Sequence, residues 1–567
     1  MTAATTAPSI VDRLAHVRER LRAAGFPLAT AGAAEAGSER DELIGQIDDY
    51  LLPRLLSLDA PVLTVLGGST GAGKSTLMNS LVGRQVSVAG VLRPTTRVPV
   101  LVCHPAEVGW FSDDRILPGL ARSTGGTRSE EGELHLVVDQ DVVSGLALLD
   151  APDIDSVEEA NRELGSQLLA AADLWLFVTT AARYADAVPW DFLRAAQARS
   201  TSLAVVLNRV PPGAEGVVAE HLAAMLRKEG LEDAPLFVVR EAQLSGGLVH
   251  EEEIAPVRRW LNGLIADAEA RDGVVRTTLE GALGNLRQRV PLLATHLDEQ
   301  AAAGRRLRAE VDRAYESARR SVAEPLADGR LLRGEVLSRW QYVVGTGDLM
   351  RSLESRLGWL RDRVQEVVMG RPSAVSEVAT AVETSIETLV GAAADAAAER
   401  VVEAWRGLPG GGQLLTGAEG RMDRSAPAFR PALSASVRGW QAFVLELVAA
   451  EGASKRAIGR ALSLGVNGLG VALMVAMFAQ TGGLTGGEVV VAGGTAAVSQ
   501  KLLEALFGDQ AVRQLTARAR ADLLQRVGDL LDEEAARFRA LIAAVSPAPG
   551  LAEELRTGAA ALEGPVE

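Results

Sequence analysis

Residues 68–75 read Gly-Ser-Thr-Gly-Ala-Gly-Lys-Ser, a full match to the pattern G-x-x-x-x-G-K-[ST]. Few short motifs constrain a fold so tightly, because this one works only between a buried strand and a helix. Both flanks are present. Pro61-Val-Leu-Thr-Val-Leu66 is a continuous apolar run that predicts a buried strand, and Thr76-Leu-Met-Asn-Ser-Leu-Val82 predicts a helix. Glycines let backbone amides turn inward to hold phosphate oxygens at the helix N-terminus, where the dipole favours negative charge. Gly68, Ser69, Thr70, Gly71, Ala72, Gly73, Lys74, Ser75 and Thr76 are therefore the expected phosphate-contacting residues. Lys74 would neutralise the β and γ phosphates, and the Ser75 hydroxyl would face Mg²⁺.

That motif accounts for only part of a 567-residue chain, which is long enough for several domains. A net charge of −15 argues against nucleic acid as the main partner, since it supplies no global attraction to phosphate. The single cysteine, Cys103, excludes an internal disulfide framework and fits a reducing compartment. The six histidines are scattered without metal-ligand spacing. Charges at Asp12, Arg13, Arg18, Glu19 and Arg20 predict no signal peptide.

Three regimes follow along the chain. Over 9–56, apolar residues recur at helical spacing, and Ser38 ahead of Asp41 is the expected N-cap of a second helix after a Gly/Ala-rich stretch at 31–37. From 61 to about 265, strands predicted at 62–67, 98–103, 134–138, 146–150, 174–179, 203–207 and 236–239 alternate with helices, which implies a doubly wound, mostly parallel sheet. Beyond 275 the patterns are long and helical, over 276–321, 333–369, 375–406, 427–456 and 499–543, with expected breaks at Pro325–Gly329 and 408–412.

Within this helical half, residues 461–479 carry no charge. As a helix they would extend about 28 Å, just enough for the hydrocarbon core of a bilayer. A Gly-rich turn at 480–487 leads to a second apolar stretch, Val489–Val498, and Lys455, Arg456, Arg460 and Lys501 border the pair. Two readings stand: a hairpin in lipid, or a hairpin buried in the helical half, to which Asn467, Glu488 and the short second arm point. The expected layout is 1–58 N-terminal helices, 59–270 the phosphate-loop domain, 271–456 a helical trunk, 457–508 the apolar hairpin, 509–547 a returning helix and 548–567 a flexible tail.

The motifs resemble those of the dynamin superfamily of large GTPases. Arg93-Pro-Thr-Thr-Arg-Val-Pro99, 19–25 residues beyond Lys74, is similar to that family's first switch. The resemblance implies that Thr95, or alternatively Thr96, closes over the γ-phosphate and Mg²⁺. Asp150-Ala-Pro-Asp-Ile-Asp155 resembles the second switch, D-x-P-G, which makes Asp150 a holder of Mg²⁺ through water. Lys74, Thr95 and Asp150 are thus the implied catalytic set, and Ser75, Thr95 and Asp150 the metal set. Leu203-Ala-Val-Val-Leu-Asn-Arg-Val-Pro211 occupies the place of the base-reading N-K-x-D, so Asn208 and Arg209 are the expected base contacts. Helices on both sides of the GTPase part and an apolar hairpin near the far end match bacterial dynamin-like proteins in layout. That layout implies GTP and Mg²⁺ as cofactors, a lipid-binding paddle at 457–508, and assembly with itself or with a dynamin-like paralogue. It places the chain in the cytoplasm, on the inner face of the cell membrane. The competing class is a soluble nucleotide-dependent switch or scaffold, with ATP as an open alternative.

The departures are specific. Asp153 stands where the second switch has glycine, Pro211 where the base reader has aspartate, Arg209 where it has lysine, and Thr70 where dynamins carry a water-orienting glutamine. Leu244-Ser-Gly-Gly247 is similar to the signature of ABC-transporter ATPases, but no strand ending in Asp-Glu follows it.

Overall fold

The computed structural model describes residues 9–88, 98–113, 116–117, 120–123, 132–153, 159–198, 201–328, 374–418, 420–452 and 507–563. They divide into two compact units. The first comprises residues up to Phe26, Gly32–Asp298 and those from Pro547 on, and the second Pro27–Ala31 with Glu299–Ser546.

The first unit is built on an eight-stranded sheet: β1 Val62–Gly68, β2 Val100–Cys103, β3 Ala121–Ser123, β4 Glu133–Val138, β5 Leu146–Asp150, β6 Leu174–Thr180, β7 Ser202–Val210 and β8 Leu236–Arg240. Their order is β3-β4-β2-β5-β1-β6-β7-β8, and every pairing is parallel except β2 with β5. Every residue of β1, β5 and β6 is buried. Helices cover both faces of a parallel sheet, so such strands read as continuous apolar runs rather than as alternation. One face packs Val62, Leu66, Leu148 and Leu176 against Leu77 and Met78 of helix Lys74–Val82 and against helix Glu251–Ala266. The other packs Leu63, Val65, Trp175 and Phe177 against Leu168 of helix Glu159–Ala170 and Leu222 of helix Glu215–Lys228.

The N-terminal helix Ile10–Ala23 is opened by a capping box: the Ser9 hydroxyl accepts from the Asp12 amide at 3.1 Å, and Asp12 accepts from the Ser9 amide at 3.2 Å. Such caps contribute about 1 kcal/mol. The second helix, Ala33–Gln46, corrects the expected cap. It starts at Gly32, and Ser38 lies inside it, donating back to the Ala34 carbonyl at 3.3 Å. The Gly/Ala-rich stretch therefore joins the helix, because alanine is the best helix former and carries enough propensity to override the serine. A π turn at Ile47–Leu51 follows. Residues 548–567, read from sequence as a tail, carry the helix Leu551–Ala560. Leu551 and Leu555 are buried in the same cluster as Leu14, Val17 and Leu21, and Arg13 donates to the Ala561 carbonyl at 2.7 Å.

The second unit is helical. Helix Ala268–Asp328 runs 61 residues, and its residues from Glu299 onward belong here. The break expected from Pro325 does not occur before Asp328. Helices Ala374–Arg406, Gly411–Gly417, Phe429–Gly452 and Asp509–Val545 complete the described part. Their core holds Tyr315, Trp405, Trp440 and Phe538, and both indole nitrogens find backbone partners: Trp405 donates to Leu307 at 3.1 Å and Trp440 to Ala519 at 2.8 Å. The candidate hairpin falls almost wholly within 453–506, outside the described residues, as do the trunk residues 329–373. No helix among the described residues is long and apolar enough to cross a membrane.

Candidate functional site

Strand register assembles the site. In the parallel sheet Leu66 pairs with Asp150, Gly68 with Val178, and Thr180 with Asn208. The carboxyl ends of β1, β5, β6 and β7 therefore come level, and the residues that follow them meet along one edge. Such an edge is where open α/β sheets bind ligands.

The loop after β1 needs its glycines. Gly68 has φ +149°, and a Cβ there would lie 2.0 Å from the Val178 carbonyl oxygen. Gly73 has φ +91° and would set a Cβ 2.6 Å from Asn208 Nδ2. Helix Lys74–Val82 begins directly after it, so its unpaired amides point into the loop. Lys74 is buried and reaches back over the loop, donating to the Gly68 carbonyl at 2.8 Å and the Ser69 carbonyl at 3.2 Å. Its third partner is Asp153 Oδ1 at 2.5 Å. The carboxylate standing where a glycine was expected thus neither turns away nor projects into solvent; it neutralises the loop lysine.

Asp150 is fully buried at the end of β5. Its Oδ2 accepts from the Ser87 hydroxyl at 2.6 Å, while Oδ1 has no hydrogen-bond partner among the described residues. Burial pushes its carboxyl up from the ordinary range, and the Ser75 and Ser87 hydroxyls and the Lys74 ammonium oppose that. Ser69 Oγ and Thr179 Oγ1, both buried on the same edge, also lack partners among the described residues. Native proteins rarely leave buried polar atoms unpaired, so such a group marks where a polar ligand belongs. The orphaned Asp150 oxygen beside the Ser75 hydroxyl is a hard-oxygen donor set that fits Mg²⁺.

The base-reading candidates meet the loop directly. Asn208, itself buried, donates from Nδ2 to the Ala72 carbonyl at 2.8 Å and accepts from the Arg209 amide at 2.9 Å. Arg209 has φ +53°, rare for a side-chain-bearing residue. The structure thus joins Gly68–Thr76, Asp150, Asn208 and Arg209 at one edge. Thr95 and Thr96 lie outside the described residues.

Three contributors went unread in the sequence. Asn79 accepts from the Val86 and Ser87 amides at 2.8 Å each and donates to the Ser87 carbonyl at 2.9 Å, which fixes the hydroxyl that holds Asp150. Ser87 has no motif to announce it. Arg183, in the turn after β6, donates to the Thr70 carbonyl at 2.8 Å. Leu244-Ser-Gly-Gly247 forms a tight turn closed by reciprocal Ser245 and Leu248 backbone bonds of 2.9 and 3.1 Å. The next helix starts only at Glu251, so the segment does not open a helix as an ABC signature does.

Comparison with known proteins agrees with this geometry. Residues 64–210 match the family model for the Dynamin family. A probable FZO-like transmembrane GTPase of Arabidopsis thaliana chloroplasts is 23% identical over 159 residues, covering 28% of this chain and 16% of that protein. The tRNA modification GTPase MnmE of Chlorobium luteolum is 37% identical over 94 residues, covering 17% and 18%, and that of Nitratidesulfovibrio vulgaris 29% over 257 residues, covering 42% and 46%. The chain thus spans less than half the length of these curated relatives. A solved chain from an oligomerised bacterial dynamin pair, described as sensing and tethering membranes, aligns over 99% of this chain and 96% of its own at 11% identity and a TM-score of 0.43. The family match takes in the strand–loop–helix, the Asp150 strand end and Asn208 together, so the likeness to the Dynamin family lies over the stretch that builds this edge.

Proposed function

We propose that the chain binds GTP with Mg²⁺, hydrolyses its terminal phosphoanhydride, and couples that cycle through its helical unit to a membrane surface. The observation that carries the nucleotide half is the register-aligned edge: Lys74 over the loop, Asp150 with an orphaned oxygen, and the Asn208 amide on the Ala72 carbonyl. Lys74 takes the β and γ phosphates, Ser75 and Asp150 hold the metal with Thr95, and Asn208 and Arg209 meet the base. Mg²⁺ held there would supply positive charge against the phosphate oxygens, easing cleavage of the bond from the γ-phosphorus to the bridging oxygen. Nucleotide entry requires Lys74 to exchange the Asp153 carboxylate for phosphate.

The membrane half rests on the uncharged segment 461–479 and on how its flanks are held. Helices Phe429–Gly452 and Asp509–Val545 pack together through Trp440 and Ala519, twelve residues before Gly452 and ten after Asp509. The two helices that flank the segment are therefore packed side by side, which is what a hairpin between them requires. Assembly with itself or a dynamin-like paralogue, and a place on the inner face of the cell membrane, complete the reading.

Lys74→Ala tests the site. The side chain acts as a point charge on phosphate, so the variant should fold and lose GTP binding by titration calorimetry. Equal affinity in parent and variant would sink the assignment.

A further inference from the structure

Phosphoryl transfer asks little covalent chemistry of a protein; its rate comes from positioning and from positive charge on the transferring group. Among the described residues the loop departs on both counts. Thr70 stands where a water-orienting glutamine was expected, and Lys74, 2.5 Å from Asp153, must give up that carboxylate before it meets phosphate. We propose that Arg183 supplies further charge, acting from within the chain on the γ-phosphoryl oxygens as the bond to GDP breaks. The inference rests on the GTP-hydrolysing reading above.

The geometry is as follows. β6 runs beside β1 with Val178 opposite Gly68, so the turn after Thr180 rises next to the phosphate loop. That turn is closed by the Arg183 and Tyr184 amides, which donate to the Thr180 carbonyl at 3.0 and 2.9 Å. Arg183 Nη1 donates to the Thr70 carbonyl at 2.8 Å, and Nε to Asp186 Oδ2 at 2.9 Å. Lys74 holds the first two carbonyls of the loop, Gly68 and Ser69, and Arg183 holds the third. Two cations thus bracket the span over which the terminal phosphates lie. A guanidinium presents its donors in a planar fork that matches phosphate oxygens. The side chain is 38% exposed, so it sits at the mouth of the site rather than sealed beneath it.

In the step, water's oxygen bonds to the γ-phosphorus while the bond from that phosphorus to the β–γ bridging oxygen breaks. GDP departs with the bridging electrons, and the water's protons pass to phosphate and solvent. Arg183 neither gives nor takes a proton; its hydrogen bonds strengthen as charge gathers on the γ oxygens.

The test uses the full chain as parent, Arg183→Ala and Arg183→Lys. Three readouts are compared: affinity for a non-hydrolysable GTP analogue, single-turnover GTP hydrolysis, and capture of GDP with aluminium fluoride. Analogue affinity should stay within about twofold, hydrolysis should fall by about 10³ or more, and aluminium fluoride capture should be lost. Lysine should restore little, because a point charge lacks the fork. Hydrolysis at the parent rate in Arg183→Ala would overturn the proposal. So would a loss of analogue affinity as large as the loss of rate, since Arg183 would then only brace the loop. A parent that binds GTP and turns none over would overturn the hydrolysis reading itself, and Arg183's role with it.

Discussion

Asp153 shows how one residue changes the meaning of a motif. Glycine at that position would leave Lys74 free for phosphate; aspartate instead puts a carboxylate within the lysine's grip. Two effects of Asp153→Gly should therefore oppose each other. Removing one partner of a buried pair strands the other charge and costs roughly 3–5 kcal/mol, so the nucleotide-free protein should melt at lower temperature. Lifting the competition should tighten nucleotide binding, and a non-hydrolysable triphosphate more than the diphosphate, because the extra charge meets Lys74 without a rival. An unchanged triphosphate-to-diphosphate preference would mean that Asp153 leaves the lysine without cost. Pro211 bears on the base. It removes the carboxylate that accepts from guanine, a charge-assisted contact worth roughly 1.5–3 kcal/mol. GTP should be favoured over ATP by less than about ten-thousand-fold, the range of sites with intact polar readout. Competition titration checks this, and a larger ratio would show that another acid reads the base.

At the scale of elements, the N-terminal helices join the sheet through a buried polar cluster as well as through their apolar faces. Asp173 at the start of β6 accepts from the Leu63 amide at 2.9 Å and from the Tyr50 hydroxyl at 3.2 Å, and lies 3.2 Å from Arg54 Nε. Both charged side chains are almost completely buried. Burial pushes the Asp173 carboxyl above 3.8, and the Arg54 charge only partly offsets it. A carboxyl raised in the folded state contributes most below its unfolded pKa, and that contribution fades as pH rises through the folded value. Asp173→Asn should accordingly flatten the fall of stability across the mildly acidic range, measured by thermal melts against pH. Arg54→Met alone should cost roughly 3–5 kcal/mol by stranding Asp173, whereas the Arg54→Met/Asp173→Asn pair should cost markedly less than the sum of the singles. Additive costs in denaturant melts would show that the two do not act as a pair.

At the scale of the whole molecule, the decisive question is where 461–479 goes. A charge at the centre of a lipid-inserted helix costs about 2.5–3.5 kcal/mol, which lowers membrane binding roughly a hundredfold. Leu473→Asp should therefore stay monodisperse, keep nucleotide binding and lose vesicles in co-sedimentation, with Leu353→Asp as the control outside the segment. If the segment is core, the same substitution buries an unpaired charge and the protein misfolds whether or not lipid is present. A parent that never sediments with vesicles, together with an aggregating variant, would end the membrane reading and leave a soluble nucleotide-dependent switch.

Much of this was legible in the residues. The phosphate loop announces itself because its chemistry demands glycines and a lysine at fixed spacing, and seven of the eight described strands form where apolar residues predicted them, β1, β2, β5 and β6 being buried along their whole length. The exception, Ala121–Ser123, is too short and too exposed to show a pattern. The cap at Ser38 misled because a local motif competes with the propensity of a whole alanine-rich segment. Composition along residues 548–567 could not show that Leu551 and Leu555 meet Leu14 and Leu21, since that contact joins the two ends of the chain. The same holds at the site. Sequence alone determined that a phosphate loop, a strand-end aspartate and an asparagine exist. Only the parallel register brought them level, set Asp153 on Lys74 and laid Arg183 on Thr70. Spacing along a chain records what is near in sequence, whereas charge and hydrogen bonding act across whatever distance the fold has closed.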